Sequence, residues 1–238
     1  MKVTLINHTQ NAMDLLIFTK ATRLTMTPGL MAEIAARPME EKLTELEYMA
    51  NTIPSSWEFC DYVFLVEGVS RAFTHQCVRT RQASYAQQTM RVLEMGEFDY
   101  VYTDKNLENS AAKEMIDSCL RAIKQTYKAL IVAGQPAEDA RGVLPTNIAT
   151  NIVCKYNLRT FSELAKSRTG GRTQGEYQKV INAMVDEVLK VHPWAEKFLF
   201  ARSRDFFQEI EEFAKREFPD LKKRGELLKI VDHMRKGG

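Results

Sequence analysis

An α+β fold is what this sequence predicts, on three observations. Short β-rich runs lie far apart in the chain, at Val3–Asn7, Tyr62–Gly68 and Ile148–Tyr156. Longer stretches between and after them carry apolar residues at helical spacing. The two kinds do not alternate as strand–helix–strand units, so a doubly wound parallel sheet is not expected. Taken in order, Met1–Gln10 alternates apolar and polar residues and reads as a strand rather than a signal peptide. Asp14–Thr22 forms a short helix before the Pro28-Gly29 break. Pro38, near a first turn, opens a helix to Asn51 with Leu43, Leu46 and Tyr48-Met49 on one side. Tyr62–Gly68 sets Val63, Leu65 and Glu67 on one strand face, and Val69–Arg81 then carries helical spacing. Asn109–Ala133 is the longest amphipathic helix, with Ala112, Met115, Ile116, Cys119, Ile123, Tyr127 and Leu130 along one stripe. Gly134 and Pro136 end it. Ile148–Tyr156 reads as a buried strand. Thr160–Arg168 follows as a helix, with Thr160 as N-cap and Glu163 three residues on, a capping-box pattern. Gln174–Val191 is a further amphipathic helix, and Trp194–Arg216 with Leu221–Lys236 makes a charged helical tail broken at Pro219.

Composition narrows the function classes. At 238 residues, with 45% hydrophobic and 27% charged, the chain has an ordinary balance and ample material for a core. Its net charge is only +2, and no basic stripe is interleaved with aromatics, which argues against a nucleic-acid partner. No apolar run approaches a membrane span. Cys60, Cys77, Cys119 and Cys154 are scattered without a CxxC pair, which favours a reducing, cytoplasmic setting over a zinc site or a disulfide framework. The four histidines are equally dispersed, so no metal is expected.

The stretch Gly68–Arg91 carries the chemistry. Arg71, Arg79, Arg81 and Arg91 fall within it, with Ser84, Gln87, Gln88 and Thr89 between the last of them. Converging guanidinium, hydroxyl and amide groups suit a phosphate-bearing small molecule, because each phosphate oxygen needs a fixed donor. A solvated basic helix end would show the same spacing.

This stretch resembles the signature of the flavin-dependent (alternative) thymidylate synthases, written RHRxxSxNxxSxR. Arg79, Arg81, Ser84 and Arg91 match it, and Thr89 stands for the second serine. The flanks Gly68-Val69-Ser70-Arg71-Ala72, His75-Gln76 and Ala83-Ser84-Tyr85 match as well. Thr80 replaces the central histidine, Ala86 takes the Asn/Ser position, and Val92 replaces a tyrosine. Downstream, Glu138–Pro145 resembles the E-x-A-R-x-x-L-P block, Tyr156–Thr160 the N-x-R-S segment, and Arg168 with Thr173–Glu176 the L-R-x-x-x-x-A-Q-x-E segment. Order and spacing are kept. The resemblance covers residues 1–195 as a catalytic domain and leaves 196–238 as a charged helical extension.

The resemblance implies a mixed sheet with helices, a single-domain subunit of a homotetramer, and active sites between subunits that hold FAD and dUMP together. It implies methylenetetrahydrofolate as carbon donor and NADPH as reductant. Gln76, Arg79, Gln87, Gln88, Thr89, Arg91 and Arg141 would hold the nucleotide. Arg79, Thr80 and Arg81 would face FAD from one subunit, and Asn157, Leu158, Arg159 and Glu163 from another. Arg168 would contact and polarise the pyrimidine. An arginine is not a base at neutral pH, but it stabilises charge developing on the ring; a helix-end arginine facing the macrodipole is the plain alternative. Cys77, within the motif, reads as a packing residue and not a nucleophile. Glu163 stands where members carry asparagine, and a carboxylate also accepts from a cytosine amino group. The expected reaction is one-carbon transfer to C5 of a deoxypyrimidine monophosphate, dUMP to dTMP first. Methylation or hydroxymethylation of dUMP or dCMP, or a non-catalytic nucleotide-binding paralogue, are the alternatives.

Overall fold

The computed structural model describes residues 1–91, 98–168, 175–200, 210, 213–214, 216–217 and 220–237. The Val92 position, Thr173, Gln174, Pro219 and most of the tail before residue 220 lie outside the described residues.

The chain opens with β1 (Lys2–His8), α1 (Ala12–Ala21), α2 (Leu30–Ala36) and α3 (Met39–Thr52). A 3-10 segment, Pro54–Phe59, leads into β2 (Asp61–Ser70) and α4 (Arg71–Cys77), after which β3 (Ala83–Gln87) follows. Then come α5 (Asp104–Glu108), α6 (Ser110–Val132) and α7 (Ala137–Ala140), a 3-10 turn Arg141–Val143, and β4 (Ala149–Asn157). α8 (Leu158–Arg168), α9 (Gly175–Val191), a 3-10 turn Pro193–Ala195 and α10 (Glu196–Leu199) follow. These belong to one compact unit, Met1–Phe200; a second unit, Ala201–Gly238, contains the helix Leu221–Gly237 with Val231 buried.

The α+β class holds, but the sheet is not mixed. Its order is β1-β2-β4-β3 and every described pairing is antiparallel. The reason lies in the connections. The short α4 and its turn carry the chain back to the end where β2 began, so β3 runs in the same direction as β2, with Ala83 opposite Tyr156 as Tyr62 is on the other side; β4 returns between them, antiparallel to both, after the α5–α7 excursion. Because β4 separates β2 from β3, no two neighbouring strands among the described residues are parallel. Tyr62, Phe64 and Val66 of β2 face the helices with Ile152, Cys154 and Tyr156 of β4, all at most 1% exposed. Leu16, Phe161, Val180, Ile181 and Met184 belong to the same core. The face carrying Val63, Leu65 and Val153 stays half-exposed. In β2 the register shifts between Val66 and Val69, where Gly68 adopts φ 66°; a side chain there would strain the backbone and bring a Cβ to 3.3 Å from the Met1 nitrogen.

Ladder pairing to Ser70 also shortens the helix expected over Val69–Arg81. Val69 and Ser70 pair with Thr150 and Ala149, and Ser70 Oγ accepts the Phe73 N–H as N-cap, so α4 starts at Arg71. At the other end of the chain's core, α8 begins at Leu158, whose N–H donates to the Cys60 carbonyl at 2.7 Å. Asn157 Oδ1 accepts the Thr160 N–H at 2.9 Å and is the true cap. The expected capping box is therefore corrected: Thr160 lies inside the helix, its buried Oγ1 has no partner, and Glu163 turns to Arg159.

Candidate functional site

α4 ends in a tight turn, with the Arg79 N–H donating to Gln76 O and the Thr80 N–H to Cys77 O, each at 3.2 Å. Tyr85, reaching back from β3, holds this turn. Its hydroxyl lies 2.8 Å from the Cys77 carbonyl, which also accepts the Thr80 N–H, and 2.9 Å from the Thr80 carbonyl in the turn beyond the helix. The turn therefore presents Arg79 and Arg81 to solvent, and neither has an ion-pair partner among the described residues. Along β3 the side chains alternate, with Ala83, Tyr85 and Gln87 inward and Ser84 and Ala86 outward. Gln87 gives its amide nitrogen to Thr74 Oγ1 at 3.1 Å and Thr150 Oγ1 at 3.3 Å, leaving its Oε1 for a ligand. The five residues of β3 span about 17 Å and lie in the chain between Arg79 and Arg81 on one side and Arg91 on the other.

At the far end Arg91, Arg141 and Arg71 converge. Arg91 Nε pairs with Glu138 Oε2 at 2.8 Å, and Arg141 Nε donates to the Glu138 carbonyl at 3.0 Å. Thr89 Oγ1 accepts the Arg91 N–H at 3.0 Å. Arg71 Nη2 donates to the Gln88 carbonyl at 2.6 Å, while its Nε is buried without a hydrogen-bond partner. Burial, and then the charge of Arg141, lower the Arg71 pKa. The sequence counts Arg71 among the guanidiniums suited to a phosphate but does not place it among the residues that would hold the nucleotide, and it gives Glu138 no role; the three-residue step from Glu138 to Arg141 was the available signal.

The other expected cofactor residues gather where β4 meets α8. Arg159 Nη1 pairs with Glu58 Oε1 at 2.7 Å, and its Nε lies 3.6 Å from Glu163. Beside them is a recess of about 150 Å³ lined by Asp61, Gln82, Ala83, Ser84, Lys155 and Asn157, across which Lys155 and Asp61 pair at 2.7 Å. Ligand sites usually hold about 300–1,000 Å³, so this recess alone is too small for a dinucleotide. Arg79 and Arg81, exposed and without an ion-pair partner among the described residues, have the charge to suit the diphosphate of a flavin dinucleotide, and the unmet Arg71 Nε with Arg91 and Arg141 suits a monophosphate.

Arg168 closes α8, and its guanidinium stacks over the Tyr177 ring, 5.2 Å from the centroid. Burial pushes the Tyr177 phenol up to about 12, against the pull of the Arg168 charge and the Thr80 side chain beside it. Tyr177 thus brings Arg168 toward the α4 turn. Glu176, next to it, accepts from the Ser70 N–H at 2.8 Å and from Ser70 Oγ at 2.5 Å, tying α9 to the start of α4. Neither Glu176 nor Tyr177 was singled out for this from the sequence. Cys77 is wholly buried, 3.1 Å from the Tyr156 hydroxyl and 3.9 Å from Cys154 Sγ, so its thiol packs and does not face a ligand. Among the described residues no group of three His, Cys, Asp or Glu could hold a metal, and no helix is long and apolar enough to cross a membrane.

Comparison with known proteins gives one family. Its sequence model, described as thymidylate synthase complementing protein, matches residues 4–194. The flavin-dependent thymidylate synthase of Clostridium tetani is 33% identical over 210 residues, covering 81% of this chain and 84% of that protein. The protein of the same name from Nitratidesulfovibrio vulgaris is 31% identical over 207 residues, with the same two shares. The namesake from Sulfurisphaera tokodaii is 38% identical over 133 residues; that match takes in 56% of this chain and 51%, about half, of the relative. The matched span holds both arginine groups, Glu138, the β4–α8 junction and Arg168, and the chain belongs to the thymidylate synthase complementing protein family.

Proposed function

We propose that this chain transfers a one-carbon unit from methylenetetrahydrofolate to C5 of dUMP, giving dTMP, with FAD bound and NADPH as reductant. The observation that carries the reading is the two groups of arginines flanking β3, Arg79 and Arg81 before it and Arg91 with Arg141 after it. Arg91, Arg141, Thr89 and Gln88 hold the nucleotide phosphate; Gln76, Gln87 and Arg79 line the approach to its base. Arg79, Thr80 and Arg81 meet the flavin, as do Asn157, Arg159 and Glu163. When bound, FAD supplies the redox chemistry of the transfer. Arg168 stabilises negative charge that develops on the pyrimidine, held in place by the Tyr177 ring. The burial of Cys77 supports a route without a thiol nucleophile from the motif.

A homotetramer is part of this reading, in a cytoplasmic setting. The small recess and the half-exposed sheet face support a site completed by another copy. So does α6, whose apolar stripe leaves Met115 72% exposed and buries only Leu120 and Tyr127 among its residues. The test is turnover of dUMP with methylenetetrahydrofolate, FAD and NADPH, read by mass analysis of the nucleotide. Arg168→Ala should abolish dTMP formation while dUMP still binds. Full activity of Arg168→Ala, or of a monomer, would overturn the reading.

A further inference from the structure

We propose that Arg71 is an additional arginine of the nucleotide-phosphate site, with its Nε as a direct phosphate donor and its Nη2 setting the Gln88 end of β3; this rests on the nucleotide reading above. Four features of the molecule converge on it. First, the guanidinium is oriented before any ligand arrives. Nη2 is fixed on the Gln88 carbonyl at 2.6 Å, and this bond spans 17 residues, from the start of α4 to the end of β3. Second, that orientation leaves Nε buried with no partner, an arrangement that proteins rarely leave unmet. Third, the backbone behind the side chain is pinned. The Arg71 N–H donates to Ile148 O at 3.1 Å and the Ala72 N–H to Thr146 O at 2.8 Å, so the side chain starts from a fixed root. Fourth, the charges around it are unbalanced. Arg71 feels the positive charge of Arg141, Arg141 is bonded to the Glu138 carbonyl, and Arg91 holds the Glu138 carboxylate.

One carboxylate among three guanidiniums leaves an excess of positive charge in a partly desolvated place. A phosphate dianion relieves it and meets the free Nε–H with a charge-assisted bond. Gln88, Thr89 and Arg91 fall within the four residues after β3, so the residue that fixes Gln88 also constrains the placement of the other phosphate donors. Arg71 lies ten residues ahead of Arg81 and outside the signature itself; the sequence groups it with the other arginines, and its hold on Gln88 emerges only when α4 and the end of β3 are brought together.

The experiment is calorimetry on the FAD-loaded protein with dUMP and with deoxyuridine, each at low and high ionic strength. Wild type should prefer the nucleotide strongly. Arg71→Gln should weaken dUMP at least tenfold, leave deoxyuridine unchanged, and flatten the salt dependence of dUMP binding. Arg71→Lys keeps the charge without the fork and should recover part of the loss; it also carries the test should Arg71→Gln fold poorly, through a smaller dUMP loss with deoxyuridine unaltered. Equal weakening of nucleotide and nucleoside, or no change in either, overturns the role of Arg71. A wild type that binds dUMP no better than deoxyuridine overturns the nucleotide reading itself, and this outcome is distinct from the first.

Discussion

Replacing Tyr85 with phenylalanine removes one oxygen and asks whether the arginine turn is held from β3. The hydroxyl serves the carbonyls of Cys77, the last residue of α4, and of Thr80 in the turn after it, at 2.8 and 2.9 Å. A lost hydrogen bond removes about 0.5–1.5 kcal/mol net, and a carbonyl left unmet adds to that. The side chain is half-buried, so water reaches part of the gap, and a total of about 1–2 kcal/mol follows. For a chain of this size the melting midpoint should fall by about 2–8 °C. Burial pushes the Tyr85 phenol up to about 12, so it stays a donor throughout the neutral range. The same turn presents Arg79 and Arg81, so FAD affinity should fall together with stability. Thermal unfolding paired with flavin titration checks both. A Tyr85→Phe protein that melts with wild type and holds FAD equally well would refute the reasoning.

Further outcomes follow from other residues. Thr160→Val should be neutral or stabilising by up to about 1 kcal/mol, because it removes a buried hydroxyl without a partner. Asn157→Ala should cost about 1 kcal/mol of cap energy in urea unfolding; the reverse ranking would restore Thr160 as the cap. Burial, and then the charge of His8, depress His192 from 6.5 to about 4, and Tyr62 hydroxyl meets its Nδ1 at 3.0 Å. The unfolded chain therefore takes up a proton that the fold refuses, so stability is retained above pH 6.5 and falls as pH drops from there toward 4. Unfolding of His192→Gln across that window should show a shallower acid dependence than wild type, and an identical slope would remove His192 from the account. Glu163→Asn should change flavin affinity, since Glu163 sits 3.6 Å from Arg159, and leave the preference for dUMP over dCMP intact. A switch of base preference in competition assays would instead assign Glu163 to the pyrimidine.

Where local pattern decides structure, the sequence was legible. The stripe of α6 placed that helix within a residue at each end, and β1, β4 and α9 followed from alternation or helical spacing. Where a distant partner decides, it was not. β3 is a five-residue edge strand rich in hydroxyl and amide groups, and it becomes a strand only by pairing with β4. The Thr160–Glu163 spacing mimics a cap, but the Cys60 carbonyl starts α8 earlier. α2 carried too few residues to stand out. The candidate site shows the same division. Arg79, Arg81 and Arg91 could be read from one motif, whereas the bonds that organise them cannot. Glu138 reaches Arg91 across 47 residues, and Glu176 reaches Ser70 across 106. Such contacts have no local signature.

The central claim is methyl transfer to a uracil nucleotide, and labelled-product analysis tests it most directly. The protein is incubated with dUMP, isotopically labelled methylenetetrahydrofolate, FAD and NADPH, and the nucleotide is recovered for mass analysis. The account predicts dTMP carrying the donor's labelled carbon at C5, with none formed when FAD is omitted. Recovery of unchanged dUMP from protein that binds both FAD and dUMP, or a product made only from dCMP, would contradict it.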